Sequence, residues 1–281
     1  KENSERLYLS LKPLILSSNL QKLISCSEAI SKNEAFFFFF STASITSKLG
    51  DTNLYVIAQK QCLKILEEQD VADSEIIKTQ IYEEIGKLLC EKSPSEAVTY
   101  LANVLDFEIK ESNVRKVIDL SGYFIKSCYL TGNYFGVTEA VDTIIKCLDS
   151  VQTNVSDLDR ALINTRKLKA LLNIGNSEQI VNLVNEDIIP ELDKGLNIKP
   201  IENSYKNIII NAWLISKIAL AKAYSLQGNN QVLNTISEIR EFIGKYNYNS
   251  NYYSTQVDII DAFAKTVLGD INKSNEILNN V

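Results

Sequence analysis

The amino-acid sequence predicts an all-α protein built from repeated helix pairs. The composition is poor in residues that form loops, with 4 Pro and 10 Gly among 281 residues. Apolar residues recur with helical spacing, as they do between Ile76 and Leu89. A Gly followed by Asp or Asn also recurs along the chain, and this Gly can end one helix while the polar residue caps the next.

The recurring turns divide the chain into units of about 40 residues, a length typical of two-helix solenoid repeats. Five turns are Leu49-Gly50-Asp51, Thr131-Gly132-Asn133, Ile174-Gly175-Asn176, Gln227-Gly228-Asn229 and Leu268-Gly269-Asp270. A sixth turn is predicted midway between the first two, at Ser93-Pro94, where Ser can cap a helix and Pro can occupy its first turn. Each turn joins two helices, so the sequence predicts five to six helix pairs.

Stacking would stabilise these pairs, because one pair cannot bury its hydrophobic face alone. The sequence therefore predicts an α-solenoid over residues 35–281. Residues 1–34 are predicted to be capping helices or the tail of an upstream domain, and the absence of any Met indicates a fragment of a longer chain. The stretch from Pro190 to Pro200, which also holds Gly195, predicts a long connection between two units.

Small and aromatic residues around the last two turns fit a known repeat pattern. They lie seven and four residues before, or five residues after, the turn Gly: Ala221 and Tyr224 before Gly228, and Ala262 before and Ser274 after Gly269. These stretches resemble degenerate tetratricopeptide repeats. The resemblance implies a right-handed α-solenoid that binds a peptide or protein segment in its concave groove.

The charge of the chain excludes some classes of partner. A formal net charge of −6 provides no global attraction to nucleic acid or to an anionic membrane surface. No run of uninterrupted apolar residues reaches the roughly 18 that a membrane span needs. We therefore expect no nucleic acid and no membrane to contact this part of the protein.

Cysteine usage indicates a reducing compartment. The five Cys are odd in number and widely spaced, with no CxxC, and the chain has no His. This pattern is typical of reduced thiols, so we predict a cytoplasmic location. Without His or closely spaced Cys, we predict no metal site.

No catalytic constellation is found in the sequence. The lack of His excludes Ser-His-Asp and Cys-His arrangements. The phosphate-binding and metalloprotease motifs GxGxxG, GxxxxGK[ST] and HExxH are also missing. We predict a protein that is not an enzyme and that uses no cofactor.

Lysines occupy the same position in four consecutive units. Lys87, Lys126, Lys169 and Lys222 each lie six residues before a turn. In a paired-helix array the first helices line one surface, so these ammonium groups would form a row that attracts a peptide bearing carboxylates. The plainer alternative is that this position faces solvent, because lysine is common on protein surfaces.

Three polar residues near the same turns add hydrogen-bonding groups. Tyr129 and Ser225 lie three residues before their turns, and Asn173 lies two before its turn. Their side chains can bond an extended peptide backbone. A groove with lysines, an amide and a phenol resembles the carboxylate clamp of some tetratricopeptide domains.

These observations predict a scaffold that binds a peptide or protein, with an acidic segment as the preferred ligand. One alternative is a peptide-sensing domain of a transcriptional or signalling regulator whose effector domain lies outside this sequence. Another is a structural subunit or a homodimerisation module.

Overall fold

A computed structural model describes residues 31–68, 74–150, 156–198, 202–248 and 250–279. Within these ranges the chain forms twelve helices and no strand. The predicted all-α helical-repeat class is confirmed.

The helices follow one another as six pairs. These are α1 (Lys32–Leu49) and α2 (Thr52–Glu67); α3 (Ser74–Leu89) and α4 (Pro94–Lys110); α5 (Val114–Leu130) and α6 (Tyr134–Ser150); α7 (157–174) and α8 (177–196); α9 (Asn203–Leu226) and α10 (Gln231–Tyr246); and α11 (Ser250–Val267) and α12 (Ile271–Leu278). Two helices are irregular: α7 contains the 3-10 turn Thr165–Lys167, and α8 contains the π-helical segment Leu183–Ile188. All six predicted turns join the two helices of a pair.

The five turn glycines share one backbone geometry. All of them are left-handed, with φ between 64° and 90°. At Gly228, for example, the N–H donates to the carbonyl of Ser225 over 3.1 Å, and the N–H of Asn229 donates to the carbonyl of Tyr224 over 2.9 Å. This pair of bonds closes the helix in a Schellman motif, and the other four turns repeat it.

At four of the five turns the polar residue after the glycine caps the next helix. The Asp51 carboxylate accepts a hydrogen bond from the N–H of Leu54, and the Asn176 side chain accepts one from the N–H of Gln179. These bonds satisfy N–H groups that have no partner within the helix.

After Gly228 the N-cap is Asn230, which makes no side-chain capping bond, and the Asn229 side chain accepts a hydrogen bond from the N–H of Gln231 over 2.9 Å. A few neighbouring residues specify both where one helix ends and where the next begins. The turn positions could therefore be predicted from the sequence.

The sixth turn is only partly as predicted. Pro94 is the first residue of α4, but the side chain of Ser93 makes no capping hydrogen bond. Ser93 occupies the N-cap position of α4, as predicted, with a backbone φ of −144° and ψ of 71°. Ser31, whose hydroxyl does cap α1, has a different backbone, with φ of −62° and ψ of 152°. The predicted position is therefore confirmed, whereas the capping bond from the Ser93 hydroxyl is not formed.

The connection from α4 to α5 repeats the turn geometry without a glycine. Ser112 is left-handed, with φ of 55°. Its N–H donates to the carbonyl of Ile109 over 3.0 Å, and the N–H of Asn113 donates to Glu108 over 2.9 Å. A Cβ makes this conformation unfavourable, so Ser112 is strained where Gly would not be.

We expect Ser112→Gly to raise the free energy of unfolding by up to about 1 kcal/mol, because Gly adopts the left-handed conformation without strain. The greater entropy of Gly in the unfolded chain opposes this gain and limits its size. Urea denaturation of the purified chain measures the change. The matched control is Ser93→Gly, at a turn residue with negative φ, for which we expect no gain. A loss of stability for Ser112→Gly would contradict this account of the turn.

From Pro190 to Leu196 the chain is helical and is not the long connection predicted from the sequence, while the end of that predicted connection, residues 199–201, lies outside the described residues. Helix α8 continues through Pro190 and ends at Leu196. The π-helical segment Leu183–Ile188 precedes the proline, and there the N–H of Ile189 donates to the carbonyl of Val184, five residues back. In a regular α-helix the proline ring clashes with the carbonyl four residues earlier. The wider turn places the proline without ending the helix.

The chain divides into two compact units, Lys1–Ser127 and Cys128–Val281, with the boundary inside α5. In the first unit, α1 packs on α2, α2 on α3, and α3 on α4. In the second unit, α9 is central and packs against α7, α8, α10 and α11. The predicted N-terminal segment, residues 1–34, lies outside the described residues except for 31–34, where α1 begins.

Helix α9 is strongly apolar, and its residues form much of the core of the second unit. By length and composition it is the one helix in the described ranges that could cross a membrane. However, 72% of its most apolar 18-residue stretch is buried inside the protein. Its Trp213 ring stacks on Phe242 of α10 with centroids 3.7 Å apart. The indole N–H of Trp213 donates to Asp193 of α8 over 3.0 Å.

Candidate functional site

Four of the seven predicted site residues line one groove in the second unit. Lys169 and Asn173 come from α7, and Lys222 and Ser225 come from α9. The groove consists of two adjoining cavities of about 420 and 360 Å³, which share Lys169, Leu172 and Lys222. We call it the first-helix groove, because it is lined by the first helices of three consecutive pairs.

The third wall of the first-helix groove is α11. It contributes Ile259, Ile260 and Phe263 to one cavity, and Tyr252, Tyr253 and Gln256 to the other. Several of these side chains are large, apolar and exposed, including Phe263 at 47% and Ile259 at 45%. Contiguous exposed apolar surface is typical of binding sites.

Among the described residues, the two lysines of the groove have no acidic partner. No described Asp or Glu lines either cavity, and neither ammonium group is within ion-pair distance of a described carboxylate. The ammonium of Lys169 lies 5.6 Å from the centroid of the Tyr129 ring, a cation–π distance. Burial, together with the charge of Lys169, lowers the pKa of Lys222. The groove therefore favours an anion from outside the chain.

Tyr129 contacts the 3-10 turn of α7 and the lysine that follows it, Lys169. The hydroxyl of Tyr129 donates to the carbonyl of Arg166 over 2.7 Å, within this turn. Lys167 is buried and pairs with Asp142 of α6 over 2.6 Å, whereas Lys169 is exposed two residues later. Side chains two residues apart on a helix face different sides. Tyr129 thus supports the position of Lys169 through both its hydroxyl and its ring.

Asn173 and Ser225 differ in their hydrogen bonding. The Asn173 side-chain nitrogen donates to the carbonyl of Lys169 over 2.7 Å, which leaves its oxygen as the acceptor for a ligand. The Ser225 hydroxyl is buried and has no hydrogen-bond partner among the described residues. A buried hydroxyl without a partner is unfavourable, so Ser225 is the polar group of the groove that most needs one.

We expect Ser225→Ala to leave the free energy of unfolding unchanged or to raise it by about 1 kcal/mol, because it removes an unsatisfied buried hydroxyl. The control is Ser216→Ala on the same helix, where the buried hydroxyl donates to the carbonyl of Ala212 over 2.8 Å. That variant should lose about 1 kcal/mol. Urea denaturation compares the two, and equal losses would show that Ser225 has an internal partner.

The other two predicted lysines lie in the first unit, and both form ion pairs. Lys87 pairs with Glu83 over 2.6 Å, and its ammonium lies 5.5 Å from the centroid of the Tyr123 ring. Lys126 pairs with Glu91, which lowers the pKa of this carboxyl and raises the pKa of the lysine. Their predicted role in attracting a ligand stays a prediction.

The apolar wall of the groove was not predicted from the sequence. Phe263 occupies the position that holds lysine in the preceding units, six residues before Gly269, and Ile259 lies one helical turn before it. The available signal in the sequence was an aromatic residue at the position that holds lysine in the preceding units. Leu172 carried no such signal, because leucines in helices usually face the core.

The described cysteines do not suggest reactive chemistry. Cys62, Cys90, Cys128 and Cys147 are buried. Burial raises the pKa of Cys62 to about 12 and that of Cys128 to about 11, so both stay protonated at neutral pH. In the part of the chain that the structure describes, no group of three metal-ligating side chains is found.

No protein-family model matches the chain, and no curated protein matches it either.

Proposed function

We propose that this chain is a non-enzymatic, tetratricopeptide-like binding module that recognises an acidic segment of a peptide or protein in the first-helix groove. The observation that carries the proposal is the pair Lys169 and Lys222, which share two cavities with no carboxylate among their described lining residues. Two ammonium groups without a counter-ion repel each other, and a bound carboxylate would relieve this repulsion.

The packing of the last two repeats supports the tetratricopeptide-like assignment. Ala221 and Ala262 are almost completely buried, and Tyr224 and Ser274 are buried beside them. The hydroxyl of Thr266 donates to the Ser274 hydroxyl over 2.8 Å, which links α11 to α12. Small buried residues at these positions allow the close helix approach that the repeat pattern requires.

The apolar wall indicates the second property of the ligand. Phe263 and Ile259 are exposed next to the lysines, so apolar side chains of a bound segment would cover them. Burial of apolar surface contributes roughly 25 cal/mol per Å² to binding in simple area terms. A segment that alternates acidic and apolar residues matches both features of the groove.

An array of random twelve-residue peptides tests the proposal. We expect the peptides that the purified chain binds to be enriched in Asp, Glu and apolar residues, and we expect binding to weaken as salt is raised, because exposed charges are screened. Enrichment of basic peptides, or binding that salt does not change, would contradict the proposal.

A further inference from the structure

Lys222 has an unusual environment for a lysine. Its side chain lines both cavities of the first-helix groove and is half-buried. Several other lysines in the described ranges are paired, such as Lys217 with Glu238 over 2.7 Å. Lys222 instead lies near a second cation, Lys169.

Burial and the charge of Lys169 both favour the uncharged amine of Lys222. From α7 it is faced by Lys169, and from α11 by Tyr252, Tyr253 and uncharged side chains. Tyr253 stays neutral, since burial raises its pKa to about 12. Burial first, and the charge of Lys169 second, lower the pKa of Lys222. A larger share of this lysine is therefore the free amine at neutral pH, and the free amine is the nucleophile.

We propose that Lys222 is the preferred acylation site of this chain, at which its amine takes the acyl group of small acyl phosphates. Lys169 attracts the phosphate of the donor, and Leu172 and the α11 wall offer apolar surface to the acyl group. The Nζ lone pair of Lys222 attacks the acyl carbon, and the bond from this carbon to the phosphate oxygen breaks. Phosphate leaves with the electron pair, and the amine loses a proton to solvent as the amide forms.

The reaction would also change the charge of the groove. Acylation converts one of the two cations into a neutral amide, so it would weaken the binding of acidic segments. This consequence rests on the proposed function, whereas the reactivity of Lys222 does not depend on what the groove binds.

Incubation of the purified chain with acetyl phosphate, followed by digestion and mass spectrometry, measures the acetylation rate of each lysine. We expect Lys222 to react at least about threefold faster than the exposed Lys146 and Lys245, because Lys169 concentrates the anionic donor beside the Lys222 amine in the groove. In urea, where the groove is lost, the three rates should become equal. No preference for Lys222 in the folded chain would overturn the proposal.

Two variants of the neighbouring lysine separate charge from structure. Lys169→Gln should slow the acetylation of Lys222 to the rate of Lys146, and Lys169→Arg, which keeps the charge, should leave it unchanged. An unchanged rate in Lys169→Gln would overturn the role of Lys169. No peptide is present in the acetylation assay, so a negative result there does not affect the peptide-array test of the proposed function. Likewise, a negative result on the peptide array does not affect the test of Lys222 reactivity.

Discussion

Replacing Gly86 with Ala is expected to lower the free energy of unfolding by about 1–3 kcal/mol, the usual effect of overpacking a tight core. Gly86 lies in α3, where a Cβ would come within 2.7 Å of Cγ and 2.9 Å of Cδ2 of Leu101 in α4. Leu101 is completely buried, so its side chain has no free space to move into. The close contact between the two helices of this pair therefore depends on the missing side chain.

The matched control is Gly122→Ala in α5. No atom lies within 4 Å of a Cβ at this position, and Ala has a higher helix propensity than Gly by about 0.5–1 kcal/mol. We expect this variant to gain stability by about that amount. Urea denaturation measures the change in the free energy of unfolding for each variant. We expect a decrease for Gly86→Ala, from overpacking, and an increase for Gly122→Ala, from helix propensity. Changes of the same sign would contradict the account of the α3–α4 contact.

Reversing both groove charges, with Lys169→Glu and Lys222→Glu, is expected to weaken the binding of an array-selected acidic peptide by about a hundredfold. Two attractive contacts become repulsive, and like charges placed together at an interface cost several kcal/mol. Fluorescence anisotropy with the labelled peptide measures the affinity, and circular dichroism checks that the helix content is unchanged.

A second double variant controls for net charge. Lys146 and Lys245 are exposed in the same unit and do not line the groove. Changing both to Glu alters the net charge equally, but we expect less than about a threefold loss, because distant exposed charges are screened within roughly 8 Å at physiological salt. Equal losses in the two double variants would mean that the overall charge, and not the groove, controls binding.

The fold could be predicted because its signals are local. A glycine that ends a helix and an Asp or Asn that starts the next act within a few residues, so the turns at Gly50, Gly132, Gly175, Gly228 and Gly269 could be read directly. The turn at Ser112 could not be found in this way, because tertiary structure holds a non-glycine residue in the left-handed conformation there. The helix through Pro190 was missed because the π-helical segment has no simple sequence signal.

The site was harder to predict because it depends on neighbours from other helices. Lys87, Lys126, Lys169 and Lys222 hold equivalent positions in the sequence, yet among the described residues only the first two have acidic partners. Glu83 lies four residues before Lys87, a helical contact that the sequence shows. Glu91 is 35 residues from Lys126, and their pairing is visible only once the helices are packed.

Photo-crosslinking tests the central claim, that the first helices of the second unit form the binding surface. An array-selected acidic peptide with one benzoylphenylalanine would be irradiated with the intact chain, and the crosslinked residues mapped by mass spectrometry. We expect the crosslinks on α7, α9 and α11, centred on Leu172, Ile259 and Phe263. Crosslinks confined to α8, α10 and α12, or to the first unit, would contradict the claim.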